Sequence, residues 1–325
     1  MRPRVSVVVP SYHRPALLER CLAALARQDF PAADYELVVV HDGPSEPARR
    51  LVAEWGRRFD RDGGPALRYV EPEHGGPAAA RNAGWRAAAA EIVAFTDDDT
   101  LPDPSWLRCA LDAFSADVDA AWGAIVVPLP PNPTDYEVDA ARLARGQFVT
   151  ANCFCRKPIL EAVGGFDERF ELAWREDSDL FFRLLDCDAR VVHVPDALVV
   201  HPVRTASWGV SLFQQRKVLY DALLFKKHRK LYRQWIRPTP RWDYYAIVAA
   251  LGATALAAAS GAVAVAAPAA VLWLLLTGRF CIARLRPATK RAPHIAEMIV
   301  TSVLIPPIAV FWRMVGALRF RVVFL

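Results

Sequence analysis

Between Asp243 and Arg279 the chain carries no charged residue, and the run Tyr244 to Gly278 is almost wholly apolar or small. As one helix at about 1.5 Å per residue it would be roughly 50 Å long, well beyond the roughly 30 Å of hydrocarbon in a bilayer. Two antiparallel helices turning near Ser260 and Gly261 fit better, although each is short and alanine-rich. Basic clusters at Lys226–Arg241 and Arg279–Arg291 flank the run, and the positive-inside bias keeps both ends cytoplasmic. A third segment, "IAEMIVTSVLIPPIAVFW", is interrupted by Pro306 and Pro307. A full crossing would export Arg313, Arg319 and Arg321, so a re-entrant or interfacial element is expected. The competing reading is an apolar helical domain used for oligomerisation.

The 325 residues are 54% hydrophobic, with the apolar excess after Tyr244, which divides the chain into a soluble front and a membrane-associated back. A net charge of +5 could serve nucleic acid. The Lys and Arg residues instead flank the apolar segments, which points to anionic membrane lipids and not to nucleic acid. The six cysteines are scattered, and Cys153 and Cys155 are spaced as alternate residues of one strand face. Neither a zinc pattern nor a disulfide framework emerges, as expected of a reducing cytosolic compartment. The N-terminal "RPRVSVVVPSYHRP" enters a strand without an apolar signal segment.

The front alternates short apolar runs with helix-length segments. "VSVVV", "YELVVV", "ALRYVE", "EIVAF" and "AAWGAIVV" read as strands, followed by "QFVTANCFCRK" and a strand pair "ARVVHV" and "ALVVH". This is the pattern of an α/β protein with a doubly wound, mostly parallel, Rossmann-like sheet. Ligands of such sheets bind beyond the carboxyl ends of the strands. That rule singles out Pro10–Arg14, His41–Ser45 and Asp97–Asp99. Three consecutive carboxylates at a strand tip suit a hard divalent cation, which leaves positions open for phosphate oxygens; a solvated acidic turn or a helix N-cap is the plain alternative. Strand alternation puts Asp97 and Asp99 on one face and Asp98 on the other. In "REDSDLFFRLL", helical spacing aligns Asp177 with Leu180, Phe181 and Leu184, so Asp177 is expected to face protein. Glu176 aligns with Asp179 and Arg183 and is expected to face water.

In order and spacing, "VSVVVPSYHRP", "VVVHDGPS", "GGPAAARNAGW", "FTDDDT" and "GGFDERF…WREDSDLFFRL" resemble the motifs of the family 2 glycosyltransferases with a GT-A fold, over roughly residues 5 to 201. The resemblance implies a nucleotide-diphosphate sugar donor, Mg²⁺ or Mn²⁺, and transfer that inverts the anomeric carbon. It puts Pro10, Ser11, Tyr12 and Arg14 along the donor, with Asp42 accepting from the base, plausibly the N3–H of uracil. His13 stands where Asn is frequent, and His41 where an Asp often precedes Asp42. Asp42 with Gly43 also reads as a simple tight turn.

By the same resemblance Gly76 gives the donor a close approach, and Arg81 faces it, where a guanidinium can fork onto phosphate oxygens. Asp97 faces ribose or metal, Asp98 lies on the donor side, Asp99 is the direct metal ligand, and His201 joins the metal shell. Asp177 is the catalytic base, with Trp174 and Glu176 as acceptor-side candidates. An acidic first turn favoured by the helix dipole, a solvated Arg81, a structural His201 and a core Trp174 are the plain counterparts.

Three parts are expected: a GT-A domain over 1–205, a basic amphipathic juxtamembrane helix over 206–241, and a transmembrane hairpin with a re-entrant or interfacial end over 242–325. The activity expected is hexosyl transfer from a UDP-sugar to a glycan or lipid-linked acceptor at the cytoplasmic membrane face, in envelope polysaccharide synthesis. A catalytically silent, membrane-anchored nucleotide-sugar-binding protein of the same fold is the alternative. A soluble nucleotidyltransferase is a third reading, against which the charge-free run argues.

Overall fold

The computed structural model describes residues 2–324, in two compact units. The first comprises Met1–Pro128 and Arg142–Pro202, the second Leu129–Ala141 and Val203–Leu325.

The first unit is built on β1 (Val5–Ser11), β2 (Tyr35–His41), β3 (Ala66–Val70), β4 (Ile92–Phe95), β5 (Leu101–Pro102), β6 (Ala120–Val126), β7 (Cys153–Arg156) and β8 (Val191–Val200). They form one sheet in the order β3-β2-β1-β4-β7-β6-β8-β5. Neighbours β1–β2, β1–β4, β2–β3 and β6–β8 are parallel, while β7 runs antiparallel between β4 and β6 and β5 runs antiparallel to β8. Every residue of β1 and β2 is buried, which is why both read as unbroken apolar runs and not as alternating ones. Helices α1 (Pro15–Leu25), α2 (Glu46–Asp62), α3 (Pro77–Ala87), α4 (Trp106–Asp112), α6 (Lys157–Val163) and α7 (Glu176–Asp186) accompany this sheet. The core joins Val5, Val7, Val9, Leu18, Leu22, Leu37, Trp106 and Phe154.

The expected last strand pair is one strand, β8, with an irregularity. Gly123 pairs with Val194 but Ala124 pairs with Leu198, so Pro195, Asp196 and Ala197 bulge from the ladder. The buried Asn152 mends the gap. Its Nδ2 donates to Ala124 O (2.7 Å) and Ala197 O (2.8 Å), and its Oδ1 accepts from Trp106 Nε1 (2.8 Å).

The second unit holds α5 (Asp135–Ala140), α8 (Val210–Gln214), α9 (Leu219–Lys227), α10 (Arg229–Leu231), α11 (Trp242–Ala259), α12 (Val263–Leu285) and α13 (Ala292–Arg319). One amphipathic helix was the expectation before Arg241; instead the chain bends at His228 (φ −132, ψ 57), and Leu219 through Phe225 are all buried. A helix buried on every face is a core element, not a surface one. The turn at Ser260 and Gly261 falls where the charge-free run predicts it, between α11 and α12.

α13 runs unbroken through Pro306 and Pro307. The two adjacent prolines remove two successive donors, yet Ile305, Ala309 and Val310 pack with Tyr244 of α11, and Gly316 lets α9 come close, since a Cβ there would meet Leu219 O at 2.6 Å. Tertiary contact thus holds the helix together across the missing bonds. Arg313, whose export counted against a full crossing, is 3% exposed. Its guanidinium lies 4.2 Å over the Phe324 ring and its Nε donates to Tyr245 Oη at 3.3 Å. α11, α12 and α13 have mean hydropathies of 1.3, 1.8 and 1.9 and are each long and apolar enough to cross a membrane. Leu256, Val263, Leu274 and Leu275 stay exposed on α11 and α12, the apolar surface that lipid would cover.

Replacing Asn152 by Leu leaves two carbonyls and an indole N–H buried without partners. Each such orphan costs about 1–3 kcal/mol, so denaturant unfolding of the full chain in detergent is expected to lose about 3 kcal/mol or more from the transition of the first unit.

Candidate active site

The carboxyl ends of β1, β2 and β4 bring Pro10–Arg14, His41–Gly43 and Asp97–Asp99 together, as the strand-end rule predicts. At the end of β1 the backbone of His13 is left-handed (φ 51). The buried His41 holds it there: His13 N donates to His41 Nε2 (3.1 Å), and His41 Nδ1 donates to Gly43 O (2.7 Å). One ring nitrogen accepts and the other donates, so His41 is the neutral Nδ1–H tautomer. The histidine that stands where a carboxylate is common therefore ties two strand tips together.

Asp42, 5% exposed, accepts from Gly75 N (2.8 Å) and from Gly76 N (3.0 Å). His74 Nδ1 lies 2.9 Å from its Oδ2, and the His74 ring stacks on Tyr12 with centroids 5.0 Å apart. His74 is a site neighbour that sequence reasoning missed; its place directly before Gly75–Gly76 was the available signal. Gly76 has φ 86, and a Cβ on it would lie 2.5 Å from Glu171 O. Backbone sign and close approach both require glycine. Pro10 is buried inside β1 opposite Val40.

The acidic triplet divides as strand alternation predicts. Asp97, Asp99 and His201 each present a donor atom within 4.8 Å of the others, with His201 Nε2 3.5 Å from Asp99 Oδ1. Two carboxylates and an imidazole are a donor set that fits Mg²⁺ or Mn²⁺. Asp98 turns the other way and is wholly buried. Ser11 Oγ donates to its Oδ2 (2.8 Å), and Arg14 Nη2 pairs with its Oδ1 (2.9 Å). Burial pushes Asp98 up to about 7, against the pull of Arg14 and Ser11.

Arg81, on α3, is 3% exposed and spans two carboxylates, Asp97 Oδ1 (2.7 Å) and Glu176 Oε1 (3.0 Å). Next to it Asn82 donates to Phe166 O (2.9 Å) and Glu168 Oε1 (2.7 Å) and accepts from Phe166 N (2.8 Å), anchoring the "GGFDE" loop. One guanidinium faces the buried Glu176 and the half-buried Asp97. Burial opposes ionisation of both, but Arg81 and then His201 hold Asp97 below its ordinary value. Glu176 is pushed up to about 7, by burial first and by Asp177 and Asp97 against the pull of Arg81.

The face expected of α7 is reversed. Glu176 (3% exposed) and Asp179 (wholly buried) point inward, and Asp177 is half-buried. Two arginines cause this: Arg81 draws in Glu176, and Arg183 Nε pairs with Asp179 Oδ2 at 2.9 Å. Asp177 Oδ1 accepts from Ser178 N (2.6 Å), while its Oδ2 has no hydrogen bond among the described residues. Arg175, just before, is left-handed (φ 77), a conformation that costs a non-glycine residue about 1–3 kcal/mol. Its guanidinium covers the half-buried Trp174 ring at 4.5 Å.

The raised Glu176 makes a sign-definite prediction. Its folded value of about 7 exceeds its ordinary 4.5, so the native state retains a proton that the unfolded chain releases between those values. Stability is full below that window and falls as pH rises from about 4.5 to about 7. Chemical denaturation of metal-free protein across this range is expected to decline less steeply in Glu176→Gln, with the share due to Asp98 remaining.

Comparison with known proteins gives the family. The family described as Glycosyl transferase family 2 matches residues 6–167. Glycosyltransferase AglE of Haloferax volcanii is 26% identical over 216 residues, covering 62% of this chain and 68% of that protein. Pre-mycofactocin glycosyltransferase of Mycobacterium tuberculosis is 36% identical over 217 residues, but the match takes in only 43% of its length. Among solved structures, mannosyltransferase PcManGT from Pyrobaculum calidifontis, in complex with GDP-Man and Mn²⁺, aligns with a TM-score of 0.61 and 25% identity over 95% of this chain and 87% of that one. With its GT-A sheet, its strand-tip carboxylates and these relatives, the chain belongs to the family 2 glycosyltransferases.

Proposed function

We propose that the chain transfers a sugar, with inversion, from a nucleoside diphosphate sugar to a hydroxyl of a glycan or lipid-linked acceptor at the cytoplasmic membrane face. The observation that carries this reading is the cluster Asp97, Asp99 and His201, joined through Arg81 to the start of the helix bearing Asp177. Anionic lipids around the basic ends of the apolar helices, and a part in envelope polysaccharide synthesis, belong to the same reading.

The donor lies along Ser11, Tyr12 and Arg14 at the end of β1, with Pro10 beneath them. Asp42 receives the N3–H of uracil. GDP-Man in the Pyrobaculum enzyme favours a second base, since guanine offers its N1–H in the same way. Gly76 leaves room for the donor. Asp99, His201 and Asp97 would hold Mg²⁺ or Mn²⁺, which would offset negative charge on the leaving diphosphate. Asp98, locked by Ser11 and Arg14, sets the turn that presents them. With both Nη atoms engaged by carboxylates, Arg81 acts as a positioning residue and not as a phosphate ligand. Asp177 Oδ2 takes the acceptor proton as the hydroxyl oxygen attacks the anomeric carbon. Trp174 and Glu176 border the acceptor side.

A positioned general base is worth about 10²- to 10⁴-fold. Asp177→Asn is expected to lose that much transfer while binding donor normally; full activity would remove Asp177 from the role. Calorimetry with UDP, GDP and Mn²⁺ is expected to lose its metal-dependent heat in Asp99→Ala. A nucleotide-sugar panel assayed for metal-dependent hydrolysis separates an enzyme from a silent binding protein.

A further inference from the structure

Among the described residues, the helices long and apolar enough to cross a membrane all lie after Arg241. Whatever precedes Trp242 therefore stays on one side of the bilayer that α11 and α12 enter. Within the second unit, hydrogen bonds back to that earlier part of the chain fix which helix ends return to the same side.

The hairpin returns. Arg284, at the end of α12, pairs with Asp135 at 2.7 Å, and Thr289 N donates to Pro133 O at 2.7 Å. The first turns of α13 are tied there too, since Asp135 N donates to His294 Nε2 (3.2 Å) and Gly209 N to Glu297 Oε1 (2.8 Å). So is its far end: Lys226 Nζ donates to Phe320 O (2.8 Å), and Gly316 lies against Leu219 of α9. From Glu297 to Phe320 a helix rises by roughly 35 Å, more than the roughly 30 Å of hydrocarbon in a bilayer. If α13 crossed, one of these two tethers would lie on the wrong side.

Between the tethers, Thr301 and Ser302 accept from Arg284, Tyr244 packs with Ile305 and Ala309, and Arg313 donates to Tyr245. Those partners belong to the first turn of α11 and the last of α12, so α13 lies across the base of the hairpin. Burial follows the same geometry. Met298, Ser302, Ile305, Ala309 and Gly316 are buried, whereas Val300, Leu304, Phe311, Met314 and Leu318 are 39–77% exposed. Their spacing of three, four or seven residues keeps the exposed set on one face of the helix. Lys290 and Arg291 precede this stripe and Arg319 and Arg321 follow it, charges that suit headgroups at its two ends. The stripe also borders the hairpin, whose exposed Leu256, Val263, Leu274 and Leu275 call for the same apolar cover.

We infer that α13 is an in-plane helix, lying in one leaflet with Val300, Leu304, Phe311, Met314 and Leu318 in the acyl layer, so that the described chain crosses the bilayer twice. The inference rests on the membrane association in the function proposed above, and not on sugar transfer.

The test reconstitutes the full chain, with Cys109→Ala, Cys187→Ala and Cys281→Ala to clear the incompletely buried thiols, in phosphatidylcholine–phosphatidylglycerol vesicles. Spin labels go one at a time on Val300→Cys, Leu304→Cys, Phe311→Cys, Met314→Cys and Leu318→Cys, and relaxation by oxygen against a water-soluble nickel chelate reads their depth. All five are expected at one shallow depth, about 5–10 Å into the headgroup and acyl boundary. A difference of about 10 Å between Phe311 and Leu318, the rise of seven residues along a crossing helix, overturns the inference. Preferential access for nickel would put the stripe in water, and exclusion of both reagents would put it against a second copy of the chain; either result also overturns it. A membrane-impermeant maleimide supplies an independent readout in vesicles of known orientation. Arg321→Cys is expected to react on the same face as the native, exposed Cys187, and Ser260→Cys on the opposite face. Arg321→Cys reacting on the face of Ser260→Cys refutes the in-plane helix alone. Ser260→Cys reacting on the face of Cys187 removes the crossing hairpin, and with it the membrane reading on which the inference rests.

Discussion

Burying a guanidinium without partners would cost several kcal/mol, and Arg81 is 3% exposed. Its partners, Asp97 and Glu176, lie 16 and 95 positions away in the chain. The same charge therefore holds the tip of β4 and the first turn of α7 at one distance from each other. Around it the acids separate by protonation: Asp97 keeps its charge, while Glu176 is pushed up to about 7. Burying Glu176 and Asp179 also rotates α7, which leaves Asp177 half-exposed at its start.

On the β1 and β2 side, hydrogen bonds to backbone groups do comparable work. His41 joins the left-handed turn at His13 to the carbonyl of Gly43, and Asp42 gathers the amides of Gly75 and Gly76. A carboxylate that accepts two backbone amides organises a loop whatever else it binds. The plain reading of Asp42–Gly43 as a turn and the reading of Asp42 as a base-binding group are thus compatible: the turn aims the carboxylate.

In the second unit the ordering force is the burial of α13. Small residues such as Ala309 and Gly316 let α9 and α11 approach it, and this packing carries the helix across two prolines that local propensity would make a break. Polar groups in the unit follow the same economy. Arg313 turns inward onto Phe324 and Tyr245, and Arg284 reaches Asp135, Thr301 and Ser302.

Periodicity and charge placement alone determine much of this protein. The unbroken runs of β1 and β2, the alternation that parts Asp98 from Asp97 and Asp99, and the charge-free run turning at Ser260–Gly261 are local properties, legible because side-chain direction repeats with period 2 or 3.6. Only the tertiary structure decided which face of α7 is buried, that β8 bulges as one strand around Asn152, that α13 continues through Pro306 and Pro307, and that His74 sits on Asp42. Each of these depends on a partner distant in sequence: Arg81 for Glu176, Trp106 for Asn152, Tyr244 for Ile305. Buried charge and packing act through space, and an apolar periodicity cannot anticipate an arginine that makes an acidic residue the better one to bury.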